Sequence, residues 1–188
     1  MTRTDHTPQR TVAMFAGVVP PDGEEALAES AGAVLARAGY ALRHGGYNGL
    51  MEAAARGAAR HGVPVTAVTL ADRPDWGALN AHVTTTVYAP TMGARLHAYL
   101  DDADLVVAMG GGVGTLHELT AALYYATAIR SLPVRLLGPT ACRLSAFLRA
   151  GGWLTESPTR PLDFLRELPD AEALTADLEV LAAGRCTP

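Results

Sequence analysis

The chain has 188 residues, 49% of them apolar and 18% charged, and its 19 acids against 15 bases leave a net charge of −4. That length suits one domain of about 150 residues with short extensions, and the balance is that of a folded chain rather than a disordered one. The basic footprint of a nucleic-acid binder is missing, and no apolar run reaches the roughly 18 residues needed to span a membrane.

Thr11–Val19 is a short apolar run that predicts a buried strand, closed by a turn at Pro20, Pro21, Asp22 and Gly23. Glu24–Ala38 has helical spacing, with Asp22 as its expected cap and Gly39 just past its end. Tyr40–His44 predicts a second strand, running into Gly45-Gly46-Tyr47-Asn48-Gly49. Leu50–Arg60 is an Ala-rich helix stopped by Gly62, and Pro64–Leu70 predicts a third strand. Ala71–Val83 is polar, holds Pro74, Trp76 and Gly77, and has no clear period. Thr84–Ala89 predicts a fourth strand and Thr91–Leu100 a helix. Asp104–Met109 predicts a fifth strand, followed by Gly110-Gly111-Gly112-Val113-Gly114-Thr115. Leu116–Ile129 is a long helix, Val134–Leu137 a sixth strand, and Cys142–Arg149 and Ala171–Ala182 are further helices. Residues 1–10 and 184–188 are expected to be flexible ends of a single domain spanning 1–188.

Apolar strands alternating with helices predict an α/β fold: a doubly wound, mostly parallel sheet with helices on both faces. Ligands of such sheets sit beyond the carboxyl ends of the strands, where turns lead into helices. Two glycine turns stand at such ends, and each opens a helix. Glycines let an anion approach backbone N–H groups, the helix N-terminus adds partial positive charge, and Thr115 can add a hydroxyl donor. The same glycines also suit tight turns with no ligand. Neither turn fits GxGxxG and no acid closes the next strand, so a dinucleotide site is not expected.

The chain contains no lysine; every basic residue is arginine. Schiff-base chemistry and a Walker A phosphate loop are therefore excluded. No His, Cys or Asp grouping has metal-ligand spacing, and no GxSxG nucleophile turn is present. Cys142 and Cys186 form no CxxC pair, and the polar start Met1–Arg10 lacks the apolar core of a secretory signal, so a cytoplasmic protein without metal or cofactor is expected. Glu118 reads in two ways. Thr115-x-x-Glu118 is a capping box, and a first-turn Glu also faces whatever the glycine turn binds. Arg95 reads alone as a solvated or ion-paired side chain. His97 and His117 suit surface or packing roles, and Asp101, Asp102 and Asp104 a solvated helix end.

Taken together, these residues resemble a known family. The run Gly110–Glu118 is similar to the PGGxGTxxE signature of the LONELY GUY proteins, which are cytokinin riboside 5′-monophosphate phosphoribohydrolases of Rossmann-like fold, also called lysine decarboxylase-like. Gly45–Met51 resembles the family's GGGxxGLM turn, and Met92-Gly93-Ala94-Arg95 its MxxRK segment. The resemblance covers roughly residues 11–140. It implies hydrolysis of a nucleoside 5′-monophosphate to free base and ribose 5-phosphate, with Arg95 and Glu118 as the catalytic pair. It implies that Gly111, Gly112, Gly114 and Thr115 hold the ribose phosphate, together with Gly45, Gly46, Asn48 and Gly49 of the first turn. Base choice falls to the loop Asp72–Thr84 and to Tyr47 or Met92.

The sequence departs from that pattern. Gly110 stands where the family has proline, Leu96 where it has lysine and Gly93 where it has histidine, and Ala16-Gly17-Val18 lacks its serine. These departures bring the chain closer to a sister branch that resembles molybdenum-cofactor carriers and nucleotide sensors. A non-catalytic carrier or sensor of a phosphorylated ligand is therefore the alternative function, and a base exchange a third. Family members are typically homodimers. Leu116, Leu119, Leu123, Tyr124 and Ile129 give the long helix a broad apolar surface, which core packing is expected to absorb for the most part. A dimer face is expected from the remainder, and a monomer in light scattering at micromolar concentration would count against it.

Overall fold

The structure is a computed structural model describing residues 9–159 and 161–184. Its elements in chain order are β1 (Arg10–Phe15), α1 (Glu24–Arg37), β2 (Tyr40–His44), α2 (Leu50–Ala59), β3 (Val65–Leu70), a short 3₁₀ turn (Pro74–Trp76), β4 (Thr85–Ala89), α3 (Met92–Leu100), β5 (Leu105–Ala108), α4 (Val113–Ala128), β6 (Val134–Leu137), α5 (Pro139–Ala150), β7 (Leu165–Leu168) and α6 (Ala171–Gly184). The strands form one seven-stranded sheet in the order β4-β3-β2-β1-β5-β6-β7, and every pair is parallel.

Strand side chains alternate between two apolar layers, as the period of a strand dictates. Val12, Met14, Leu42, Leu105 and Val107 pack with α1, α2 and α6. Ala13, Phe15, Val68, Val106 and Ala108 pack with α3, α4 and α5, where Phe15 meets Tyr99 edge to face at 5.3 Å. Chain order reverses at β1, which lies between β2 and β5. The turns leaving β1, β2 and β5 therefore converge at the switch point, where open α/β sheets bind ligands.

Six expectations change. The sheet has a seventh strand, β7, which is a short edge strand with Arg166 and Glu167 exposed between buried Leu165 and Leu168. Two charges in four residues conceal it from apolar patterning. The long helix begins at Val113, not Leu116, so Val113, Gly114 and Thr115, which look like a continuation of the glycine turn, form its first turn. That shift removes the capping box: Gly112 is the N-cap, no side chain caps it, and Glu118 lies beyond the first turn. Asp22 caps nothing, since Gly23 in the left-handed region is the N-cap of α1. Core packing absorbs less of the apolar surface of α4 than expected: Leu119 is buried and Leu123 half-buried against the core, while Leu116, Tyr124 and Ile129 stay exposed. Of the expected flexible ends, residue 10 belongs to β1 and residue 184 to α6, while 1–8 and 185–188 lie outside the described residues.

Buried charges hold the last helix to the sheet. Asp177 of α6 accepts from Arg135 Nε of β6 at 2.5 Å and from Arg166 Nη1 of β7 at 2.9 Å. No described helix is long and apolar enough to cross a membrane.

Candidate active site

Backbone contacts build the rim of the site. Gly17, just after β1, donates its N–H to Gly110 O at 2.8 Å and accepts from Leu50 N at 3.0 Å. One residue thus ties together the turns after β1, β2 and β5. A Cβ on Gly17 would lie 2.6 Å from Gly111 Cα, so only glycine allows this approach. Gly49 has φ +71°, and a Cβ there would meet Val18 O at 2.4 Å. Buried Glu24 braces the turn after β5 from below. Its two carboxylate oxygens accept from Gly110 N at 3.1 Å and from Thr140 N at 2.9 Å, which satisfies N–H groups that would otherwise be orphaned.

His44 pins the turn after β2. Its Nδ1 accepts from Gly46 N–H at 2.8 Å, so the ring carries its proton on Nε2. Complete burial pushes its pKa down to about 4. The folded value lies below the ordinary value of about 6.5, so His44 supports stability fully above about pH 6.5 and loses that support as pH falls towards 4. Wild type is expected to lose on the order of 3 kcal/mol more than His44→Asn across that window. Urea unfolding at several pH values reads this out, and parallel profiles would detach His44 ionisation from folding.

The floor is an ion pair. Arg95 of α3 donates from Nη1 to Glu118 Oε1 of α4 at 2.7 Å, and each residue is 7% exposed. Arg95 also donates from Nε to Val68 O at 3.0 Å and from Nη2 to Tyr99 OH at 2.8 Å, and Tyr99 donates onward to Val68 O at 3.0 Å. Three of its five N–H groups are engaged, so the guanidinium plane is fixed while two donors remain. Burial pushes the Glu118 carboxyl above the usual carboxylate range, with Arg95 working against that rise. Burial likewise holds Tyr99 as a neutral hydroxyl.

Arg95 and Glu118 line one cavity of about 530 Å³. Of the residues expected from sequence, it brings together Arg95 and Glu118, Gly45 and Asn48, Gly112, Gly114 and Thr115, and Tyr47 and Met92. Gly46, Gly49 and Gly111 do not line it. Gly46 packs on Ala67 and Leu79, Gly49 on Val18, and Gly111 on Gly17 and Thr115, so their work is to let the turns pack. The backbone N–H groups that open α4 have no intrahelical partner and are available to an anion. Arg95 is the only cationic side chain among the described lining residues. No group of three or more His, Cys, Asp or Glu side chains able to hold a metal occurs among the described residues.

The sequence singles out no role for Gly17, Glu24 or His44, and it names the loop Asp72–Thr84 for base choice without singling out Trp76. The serine position at Gly17 was the one available signal. Bracing by Glu24 spans 86 residues to Gly110, which no local pattern carries. Trp76, from an aperiodic loop, reaches the cavity and lies 5.9 Å from the Arg95 guanidinium.

The geometry is that of a Rossmann-like α/β domain with a pocket at the switch point. Residues 13–146 match the SLOG cluster4 family, and the chain belongs to it, within the LONELY GUY-like, lysine decarboxylase-like superfamily. An uncharacterized protein of Archaeoglobus fulgidus is 34% identical over 107 residues, 56% of this chain and 68% of its own. Among solved structures, the molybdenum cofactor carrier protein of Chlamydomonas reinhardtii has a TM-score of 0.73 at 20% identity, covering 94% of this chain and 99% of that one. The molybdenum cofactor binding protein of Rippkaea orientalis has a TM-score of 0.72 at 19% identity, with the same coverage. The structural-genomics target TM1055 has 0.70 at 22%, covering 91% and 99%. Likeness at these identities speaks for the fold.

Proposed function

We propose that the protein hydrolyses the N-glycosidic bond of a nucleoside 5′-monophosphate, releasing the base and ribose 5-phosphate. The observation that carries this reading is the buried Arg95–Glu118 pair on the floor of a cavity rimmed by glycine turns. A carrier needs the turns; it has no need of a desolvated carboxylate facing the ligand.

In this reading the phosphate rests on the N-terminus of α4, held by backbone N–H groups and the Thr115 hydroxyl without any lysine. Holding the phosphate places the sugar and supplies binding energy for the chemistry at C1′. The C1′–N bond breaks and its electron pair leaves with the base, so C1′ gains oxocarbenium character. Glu118 offsets that positive charge and accepts a proton from the attacking water, whose oxygen bonds to C1′. A carboxyl pKa raised by burial makes Glu118 the better base. Arg95 stabilises charge on the departing base through its remaining N–H groups. Its pKa above about 12 makes it a poor proton donor, so the base takes its proton through water.

The test is incubation of the purified protein with a panel of nucleoside 5′-monophosphates, N6-substituted AMP included, with free base and ribose 5-phosphate read by mass spectrometry. Release of both is the expected result. No release, together with thermal stabilisation by one ligand, would replace hydrolysis by carriage or sensing. The shared fold of the two molybdenum-cofactor proteins is what favours that second reading.

We also propose a homodimer formed through α4. Its exposed residues carry no permanent charge, Val113 is 83% and Tyr124 67% exposed, and Tyr124 shares a surface groove with exposed Trp153. An apolar patch of this kind marks an interface. Light scattering at micromolar concentration is expected to give twice the chain mass, and a monomer would remove the proposal.

A further inference from the structure

Trp76 is a cavity wall that the proposed chemistry does not use. Its ring meets Tyr47 edge to face at 5.9 Å and lies 5.9 Å from the Arg95 guanidinium carbon. The loop that carries it is tied to the turn after β2. Asn80 donates from Nδ2 to Gly46 O and to Tyr47 O, both at 3.0 Å, and its backbone N–H adds a bond to Gly46 O at 2.8 Å. The Tyr47 hydroxyl is held by Thr69 Oγ1 at 2.5 Å. Trp76 therefore stands on an anchored loop, 38% exposed as a residue and lining the cavity. The other side chains that neither the proposed chemistry nor the phosphate uses are mostly apolar, Met51 and Met92 among them. Such a wall offers a base a π-face and soft contacts, with few groups to read its hydrogen-bonding edge.

We propose that Trp76 is the base-selecting residue: the base of the nucleotide stacks on its indole, so the site takes purine nucleotides and chooses them by ring area rather than by edge hydrogen bonds. This rests on the reading that the site takes a nucleoside monophosphate. A bicyclic purine covers more of an indole than a pyrimidine does, and stacking tolerates substituents at the purine edge.

The chain has two tryptophans, so Trp153→Phe leaves Trp76 as the sole indole. In that background, with Glu118→Gln to slow turnover, AMP, CMP and ribose 5-phosphate are titrated by calorimetry and by Trp76 fluorescence. The expected result is that AMP quenches Trp76 and binds more tightly than CMP, while ribose 5-phosphate binds without quenching. Trp76→Ala should weaken AMP by roughly 10- to 100-fold and leave ribose 5-phosphate unchanged, with Trp76→Phe recovering most of the loss. A merely structural Trp76 would weaken both ligands alike, and that result overturns the proposal. So does AMP affinity indifferent to Trp76→Ala, which leaves the nucleotide reading standing. Failure of all three ligands to bind before Trp76 is changed would remove the nucleotide reading and this proposal with it.

Discussion

Glu118→Gln is expected to lower the rate of base release by at least roughly 10²–10³ while the nucleotide still binds. Glutamine keeps the shape and one acceptor for Arg95 but can neither offset a positive C1′ nor take a proton. Glu118→Ala is the poorer probe, since it strands the Arg95 charge at 7% exposure and destabilises the fold as well. Arg95→Gln should also be deeply impaired, and the double variant should be little worse than either single one, because the two groups act as a unit. Single-turnover rates from the nucleotide panel measure this. A Glu118→Gln protein as fast as wild type would reduce the pair to a structural tie between α3 and α4.

The second large effect concerns stability. Asp177 is 4% exposed and answers Arg135, itself 2% exposed. Asp177→Ala leaves that guanidinium buried without its counter-charge, at a cost of about 3–5 kcal/mol. For a domain of this size that lowers the melting temperature by roughly 10 °C. Changing both partners to apolar residues, as in Arg135→Met with Asp177→Leu, should recover most of the loss, because the penalty comes from the stranded charge. A melting temperature of Asp177→Ala within about 2 °C of wild type would show that water reaches Arg135 and that the triad contributes little. The cavity lies at the switch point and takes no residue from α6, so nucleotide affinity of the folded variant should be unchanged.

Legibility in the sequence followed the range of the interactions. Tyr40–His44 and Val134–Leu137 have the bounds their apolar runs predict. A four-residue buried strand flanked by turn residues has few alternatives. Arg166 and Glu167 defeat the same reading at β7, where pairing with β6 supplies the reason for a strand. Thr115-x-x-Glu118 shows the opposite failure. Its spacing fits a capping box, yet the helix starts earlier and Glu118 turns to Arg95 across the domain.

Residue types at short spacing, acting through local physics, determined most of the elements, the α/β class, the two glycine turns and the exclusion of lysine chemistry. Only the tertiary structure decided that the turns after β1, β2 and β5 meet through Gly17, that Arg95 and Glu118 pair on the cavity floor, that Trp76 is the loop residue reaching it, and that Glu24 and His44 brace its turns from outside the lining. Most of those contacts join residues tens of positions apart, and they form only when the sheet reverses at β1 and brings the carboxyl ends of β1, β2 and β5 side by side.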